Sequence, residues 1–293
     1  MSSIKFLDAL ENHIEIQNKN SRAIINLVNG ASLQELVLND QLIIKDISEN
    51  YKVNYASSIL FPFPGRIEDG KYTFKDKVYQ VPCNDTDNNN ALHGVVFDKK
   101  FEFVSKENLN DAMVVKLSYQ PEKRESSFPF LYKIDLIYTL SATSLTLKME
   151  VTNVDNTNFP FFLGWHPYFE TSNLDKSFVD FKSNQQSKLN ERLIAVDVLD
   201  KLITAPINFK NKTFDDCFYL TDSKVKFTTP DYKLLINSDA KNTFLQMYTP
   251  PDRKRVALEP QTGPSNALHN KTSLTILEPK KNYTVNWSLQ IID

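Results

Sequence analysis

Apolar and polar residues alternate along much of this 293-residue chain. In SLTLKMEVTN, Leu145, Leu147, Met149 and Val151 alternate with Thr146, Lys148 and Glu150, the pattern of a strand with one face in a core and the other in water. The C-terminal stretch repeats it: Tyr283, Val285, Trp287, Leu289 and Ile291 point one way, and Thr284, Asn286, Ser288 and Gln290 the other. Similar runs occur in AIINLV, LVLNDQLIIKD, MVVKLSYQ, LYKIDLIYTL, TFLQMYTP and SLTILEP. Clusters of Asn, Asp, Lys and Pro separate many of them at hairpin distances, as at Asn39-Asp40. No segment sustains a 3.6-residue period over four turns, no stretch repeats another, and no Pro/Gly/Ser-rich linker divides the chain. The pattern predicts an all-β protein: one antiparallel β-sandwich domain spanning residues 1–293, with two large sheets packed face to face.

Composition narrows the class of partner. Hydrophobic residues make up 41% and charged residues 24%, so a sizeable core is available and disorder is not expected. A net charge of −2 offers no basic footprint for nucleic acid, which points to a small or neutral partner. The N-terminus carries charges through its first fifteen residues instead of a signal-peptide apolar core, and no run approaches eighteen apolar residues. A soluble, cytoplasmic protein with no membrane association is expected, as a monomer or weak homodimer. Cys83 and Cys217 stand far apart without a C-x-x-C partner, so both are expected to be buried free thiols.

Candidate chemistry emerges from scarce residues. There are only six glycines, where ordinary usage of about 7% would give roughly twenty. Five of them, Gly65, Gly70, Gly94, Gly164 and Gly263, lie within four residues of Arg66, His93, His166 or Glu259. Glycine is used where a backbone takes a positive φ or something must approach closely. His166 precedes Pro167 and Glu259 precedes Pro260, and a residue before proline is pushed towards an extended backbone. Both ionisable side chains are thus expected on stiff, extended segments. A glutamate ready to accept a proton and a histidine tuned to donate one, on opposite sides of a small substrate, would perform concerted acid–base catalysis. The chain has no G-x-S-x-G elbow, no P-loop and no G-x-G-x-x-G. His93, His166 and Glu259 show no H-x-H or H-E-x-x-H spacing, so neither metal nor cofactor is expected.

The ordered set FPFPGRIEDGKYTFKDKVYQVP, NNNALHGVVFD, GWHPYFE, DDCFYL and ALEPQTGPSNAL resembles the motifs of the aldose 1-epimerases, or galactose mutarotases. The resemblance runs from about residue 22 to the C-terminus. It implies a β-sandwich of the galactose mutarotase type with an open cleft for a monosaccharide, whose α and β anomers are interconverted by ring opening and closure. By the same resemblance, Glu259 matches the general base, His166 the general acid, His93 the second histidine near the ring oxygen, and Arg66 the sugar-binding arginine. The sugar-holding aspartate falls on Asp215, with Asp216 one residue away. Among the aromatics around His166, Phe161, Phe162, Tyr168 and Phe169 are expected in the core, and Trp165 against the sugar. His13 is expected on the surface and His269 in a loop.

Three departures from the family pattern bear on sugar specificity. Pro264-Ser265 stands where many members have Pro-Asp, Gly65 where Asn usually precedes the arginine, and Gly94-Val95 where two glycines are frequent. Two alternatives stay open: a hexose 6-phosphate mutarotase, with Lys71, Lys99, Lys100 or Arg192 holding the phosphate, and a non-catalytic carbohydrate-binding protein on the same fold. A hydrolase or lyase would need a second catalytic carboxylate, for which Asp215 or Asp216 is the candidate.

Overall fold

The alternating segments form strands whose apolar faces meet. In the computed structural model, which describes residues 2–203 and 206–293, Ser144–Asn153 pairs antiparallel with Asn282–Ile292. Leu145 lies opposite Leu289, Leu147 opposite Trp287 and Met149 opposite Val285. All six are completely buried, and each aliphatic side chain withdrawn from water contributes about 1.5–3 kcal/mol. These strands sit at the centre of a nine-stranded sheet whose edges are Glu102–Asn108 and Ile207–Asn208.

A second large sheet has eight strands, running in order Ala195–Asp200, Ser183–Leu189, Asp215–Leu220, Phe244–Tyr248, Arg255–Gln261, Gly164–Trp165 and Ile59–Leu60, with Tyr168–Glu170 also paired to Arg255–Gln261. One hydrophobic cluster joins residues of both sheets, among them Trp287 of the first and Leu258 of the second. A third sheet, of five N-terminal strands from Ser3–Phe6 to Gln41–Ile44, adds to the two expected. Every ladder between named strands is antiparallel.

Turn chemistry accounts for the hairpins. Asn39 and Asp40 both hold positive φ, 49° and 65°, the combination that joins two strands through a two-residue loop matching their twist. Ser32–Leu38 and Gln41–Ile44 close around them with Leu38 opposite Gln41. The helices of the described residues are single turns such as Tyr51–Asn54 and Ala267–Asn270, consistent with the missing 3.6-residue period. None is long and apolar enough to cross a membrane.

Candidate functional site

Strand register assembles the site. In the eight-stranded sheet Gln246 lies opposite both Cys217 and Glu259, Tyr248 opposite both Asp215 and Ala257, and Ala257 opposite Tyr168. Cross-strand partners share a face, and so do residues two apart on one strand. Asp215, Gln246, Tyr248, Tyr168 and Glu259 therefore look out from one side, and all line a cavity of about 790 Å³. Three more side chains reach the cavity from loops and short strands: Arg66, His93 and His166.

Local backbone contacts fix these three. His166 stands between Gly164–Trp165 and Tyr168–Glu170; its N–H donates to the Ser58 carbonyl at 3.1 Å and its carbonyl accepts from the Ser57 N–H at 2.8 Å. His93 holds a left-handed backbone with φ 65°, and its N–H donates to the Gly65 carbonyl at 2.9 Å. The Arg66 N–H donates to Ser265 Oγ at 2.9 Å. Gly65, at φ 60°, packs so closely on Ser265 that a Cβ there would lie 2.8 Å from the serine Cβ. Two departures from the family pattern, Gly65 and Ser265, thus touch each other and together seat the arginine.

His166 Nε2 lies 3.2 Å from Glu259 Oε1, with the two side chains 6% and 2% exposed. The expected acid and base thus meet in direct contact rather than across a cleft. Gln261 Nε2 donates to the other carboxylate oxygen, Oε2, at 3.1 Å. Burial, then the nearby Asp215 charge, pushes the Glu259 carboxyl well above its usual range. Burial alone pushes the His166 imidazole down to about 4. Both members are driven towards their neutral forms, because a charge in a poorly solvated cavity is costly. These opposite shifts favour a carboxylic acid beside a neutral imidazole over the ion pair, which is a tautomer of that state.

Arg66 bridges two carboxylates, with Nε donating to Asp85 Oδ2 at 3.0 Å and a terminal nitrogen 3.5 Å from Asp215 Oδ2. Burial raises Asp215 against the pull of Arg66, and Gln246 Nε2 donates to its Oδ1 at 2.7 Å. His93 is held between Tyr55 and His166, its ring edge-on to each at 4.9 Å. Burial, then the neighbouring His166 and Arg66, holds it well below the usual imidazole range, so His93 is a neutral hydrogen-bonding group.

The cavity thus brings together Arg66, His93, His166, Asp215 and Glu259. Trp165 must be corrected: its side chain is completely buried in the core and is not among the residues lining the cavity. Alternation across a strand is the reason, since His166 and Trp165 are adjacent and point to opposite sides. The same rule separates Asp215 from Asp216. Asp216 shares its face with Met247 and Leu258, accepts a hydrogen bond from Gln186 Nε2, and does not line the cavity. Lys71, Lys99, Lys100 and Arg192 do not line it either. Arg192 instead clamps Asp69 at 2.7 Å and Glu68 at 3.5 Å. Cys217 is buried but Cys83 is only half-buried. His269 is exposed on the Ala267–Asn270 turn, and His13 pairs with Asp8 at 2.9 Å.

Sequence reading missed Gln246, Tyr248, Asp85 and Gln261. Gln246 carried a faint signal, a polar residue on the otherwise aromatic face of Phe244, Gln246 and Tyr248; the pairing of Asp85 with Arg66 had none. Among known proteins, the profile of the aldose 1-epimerase family matches residues 12–290. Protein YihR of Escherichia coli (strain K12) is 26% identical over 270 residues, 86% of this chain and 84% of its own. A galactose mutarotase-like protein from Clostridium acetobutylicum superposes with TM-score 0.89 at 20% identity, covering 100% of this chain and 99% of its own. Galactose 1-epimerase from Lactobacillus acidophilus NCFM superposes with TM-score 0.83 at 15% identity, covering 100% and 98%.

Proposed function

Since this chain belongs to the aldose 1-epimerase family, we propose that it interconverts the α and β anomers of a neutral hexose, with Glu259 as base and His166 as acid. Glu259 takes the proton of the C1 hydroxyl while the C1–O5 bond breaks; the electron pair leaves on O5 and is met by the proton of His166. The products of this step are the open aldehyde, a protonated Glu259 and a neutral His166. Rotation about C1–C2 presents the other face of the carbonyl. O5 then attacks C1, returning its proton to His166 as Glu259 reprotonates the C1 oxygen, and no net proton is gained or lost.

The contact between Glu259 and His166 carries this reading. Both reacting oxygens are bonded to the same carbon, so an acid and a base serving them must be neighbours. A hexose bridging the pair would replace their mutual hydrogen bond with one to each oxygen. Arg66, Asp215 and Gln246 would hold hydroxyls on the ring, and His93, whose Nδ1 has no hydrogen-bond partner among the described residues, would accept or donate beside the ring oxygen.

Polarimetry on freshly dissolved α-D-glucose and α-D-galactose tests the reading. Wild type should speed the approach to anomeric equilibrium, and Glu259→Gln or His166→Asn should lower kcat by about 100- to 10,000-fold. No acceleration by wild type on either sugar would leave a binding protein as the better reading.

A further inference from the structure

Gln261 lies two residues beyond Glu259, so both side chains leave the Arg255–Gln261 strand on the same face. It is 2% exposed. Its Nε2 donates to Glu259 Oε2, while its own Oε1 has no hydrogen-bond partner among the described residues. A buried, half-satisfied amide is a poor choice for stability, since an acceptor withdrawn from water without a partner loses its hydration and gains nothing in return. Room has nevertheless been made for it. Opposite Gln261 stands Gly164, where a Cβ would come within 3.3 Å of the Gln261 Cγ and 3.0 Å of Leu60 and Pro64.

We propose that Gln261 is a positioning residue for the acid–base pair: its amide fixes Oε2 of Glu259 and thereby turns Oε1 towards His166 and the cavity. The inference rests on the mutarotase reading. The titratable and charged groups facing Glu259 are Tyr248 on the adjacent strand, Asp215 and Cys217 one strand further on, Tyr168 and His166 on the opposite flank, and Arg66 and His93 across the cavity. Gln261→Met leaves all of them in place.

An amide N–H stabilises a carboxylate over a carboxylic acid. Removing it disfavours the reactive tautomer, charged Glu259 with charged His166, relative to the neutral pair, and raises the pH at which the pair loses its last proton. Above that pH the rate depends on charging His166, in which Gln261 takes no part. For Gln261→Met we therefore expect kcat/KM about tenfold lower at neutral pH, an alkaline limb about one unit higher, and convergence with wild type above it. The loss should fall on kcat, with KM little changed. A profile lowered in parallel at all pH values would overturn the proposal.

Two further measurements keep it decidable if Gln261→Met does not fold. Gln261→Glu keeps the shape, places a second carboxyl beside the first and should raise the limb; an unmoved limb would overturn the proposal. In wild type, the Gln261 side-chain NH₂ resonance should shift with a midpoint at the alkaline limb. A pH-invariant resonance would overturn the positioning of Glu259. Absence of mutarotation by wild type would instead overturn the proposed function, while the resonance still reports on the amide–carboxyl contact.

Discussion

A carboxyl group and an imidazole buried against each other respond to pH in opposite senses. Glu259 is raised in the folded protein, first by burial and then by Asp215, so its contribution to stability is present below the ordinary carboxyl value near 4.5 and is lost as pH rises through the raised value. His166 is depressed to about 4, so its contribution is present above 6.5 and is lost as pH falls through about 4. Glu259→Gln removes the first effect. The variant should melt higher than wild type at pH 8, by ~2–4 °C for each kcal/mol recovered, and the gap should close near pH 4.5. A gap that is the same at both pH values in thermal scans would contradict this. At this scale the sequence was informative wherever rarity and proline combined, as at His166-Pro167 and Glu259-Pro260. Trp165 shows the limit: adjacency to His166 suggested contact with the sugar, but neighbouring residues on an extended chain point to opposite sides.

Strands and their connections hold the site residues in place, and one connection is built around a single carboxylate. Asp155, in the loop between Ser144–Asn153 and Phe159–Phe161, accepts from Arg124 Nε at 3.1 Å and from a terminal Arg124 nitrogen at 3.0 Å. The backbone N–H groups of Leu131 and Asn156 add bonds at 2.9 and 2.6 Å. Burial alone would raise this carboxyl, but Arg124 and these amides overcome it and hold it at about 2. Its stabilisation is therefore present above pH 3.8 and lost as pH falls through about 2. Asp155→Ala strands the donors of a side chain only 1% exposed and should cost about 3 kcal/mol in denaturant unfolding at neutral pH. A loss under about 0.5 kcal/mol, the ordinary range for a surface change, would show that the loop closes without it. Strand identity was readable from period two, and the Asn39-Asp40 hairpin from its turn residues. The five-stranded N-terminal sheet was not separable from the others, because alternation says which face is apolar but not which sheet will cover it.

Across the whole molecule, charge placement bears on the substrate. Among the described residues, the Lys and Arg side chains that line the cavity are Lys45, Arg66 and Arg255. Arg66 is committed to Asp85 and Asp215, and Arg255 to Glu170 at 3.0 Å and Asp252 at 3.4 Å. Glu49 adds a further negative charge to the lining. A phosphate would meet two guanidinium groups already neutralised by carboxylates and, as the remaining cation of the lining, the exposed ammonium of Lys45, so glucose 6-phosphate should be turned over with kcat/KM at least about tenfold below glucose. A faster rate on the phosphorylated sugar, measured by the same polarimetry, would reverse this. By itself the sequence determined that the protein is an antiparallel β structure, which faces of its strands are apolar, and which motifs carry the family resemblance; each of these depends on residues a few positions apart. Tertiary structure decided what no local pattern encodes. Register chose Asp215 over Asp216 and put Gln246 opposite Glu259, and folding brought Arg66 to Asp215 across 149 positions of chain. The contact of Glu259 with His166 belongs to this second class, because distance along the chain carries no information about distance across a sheet.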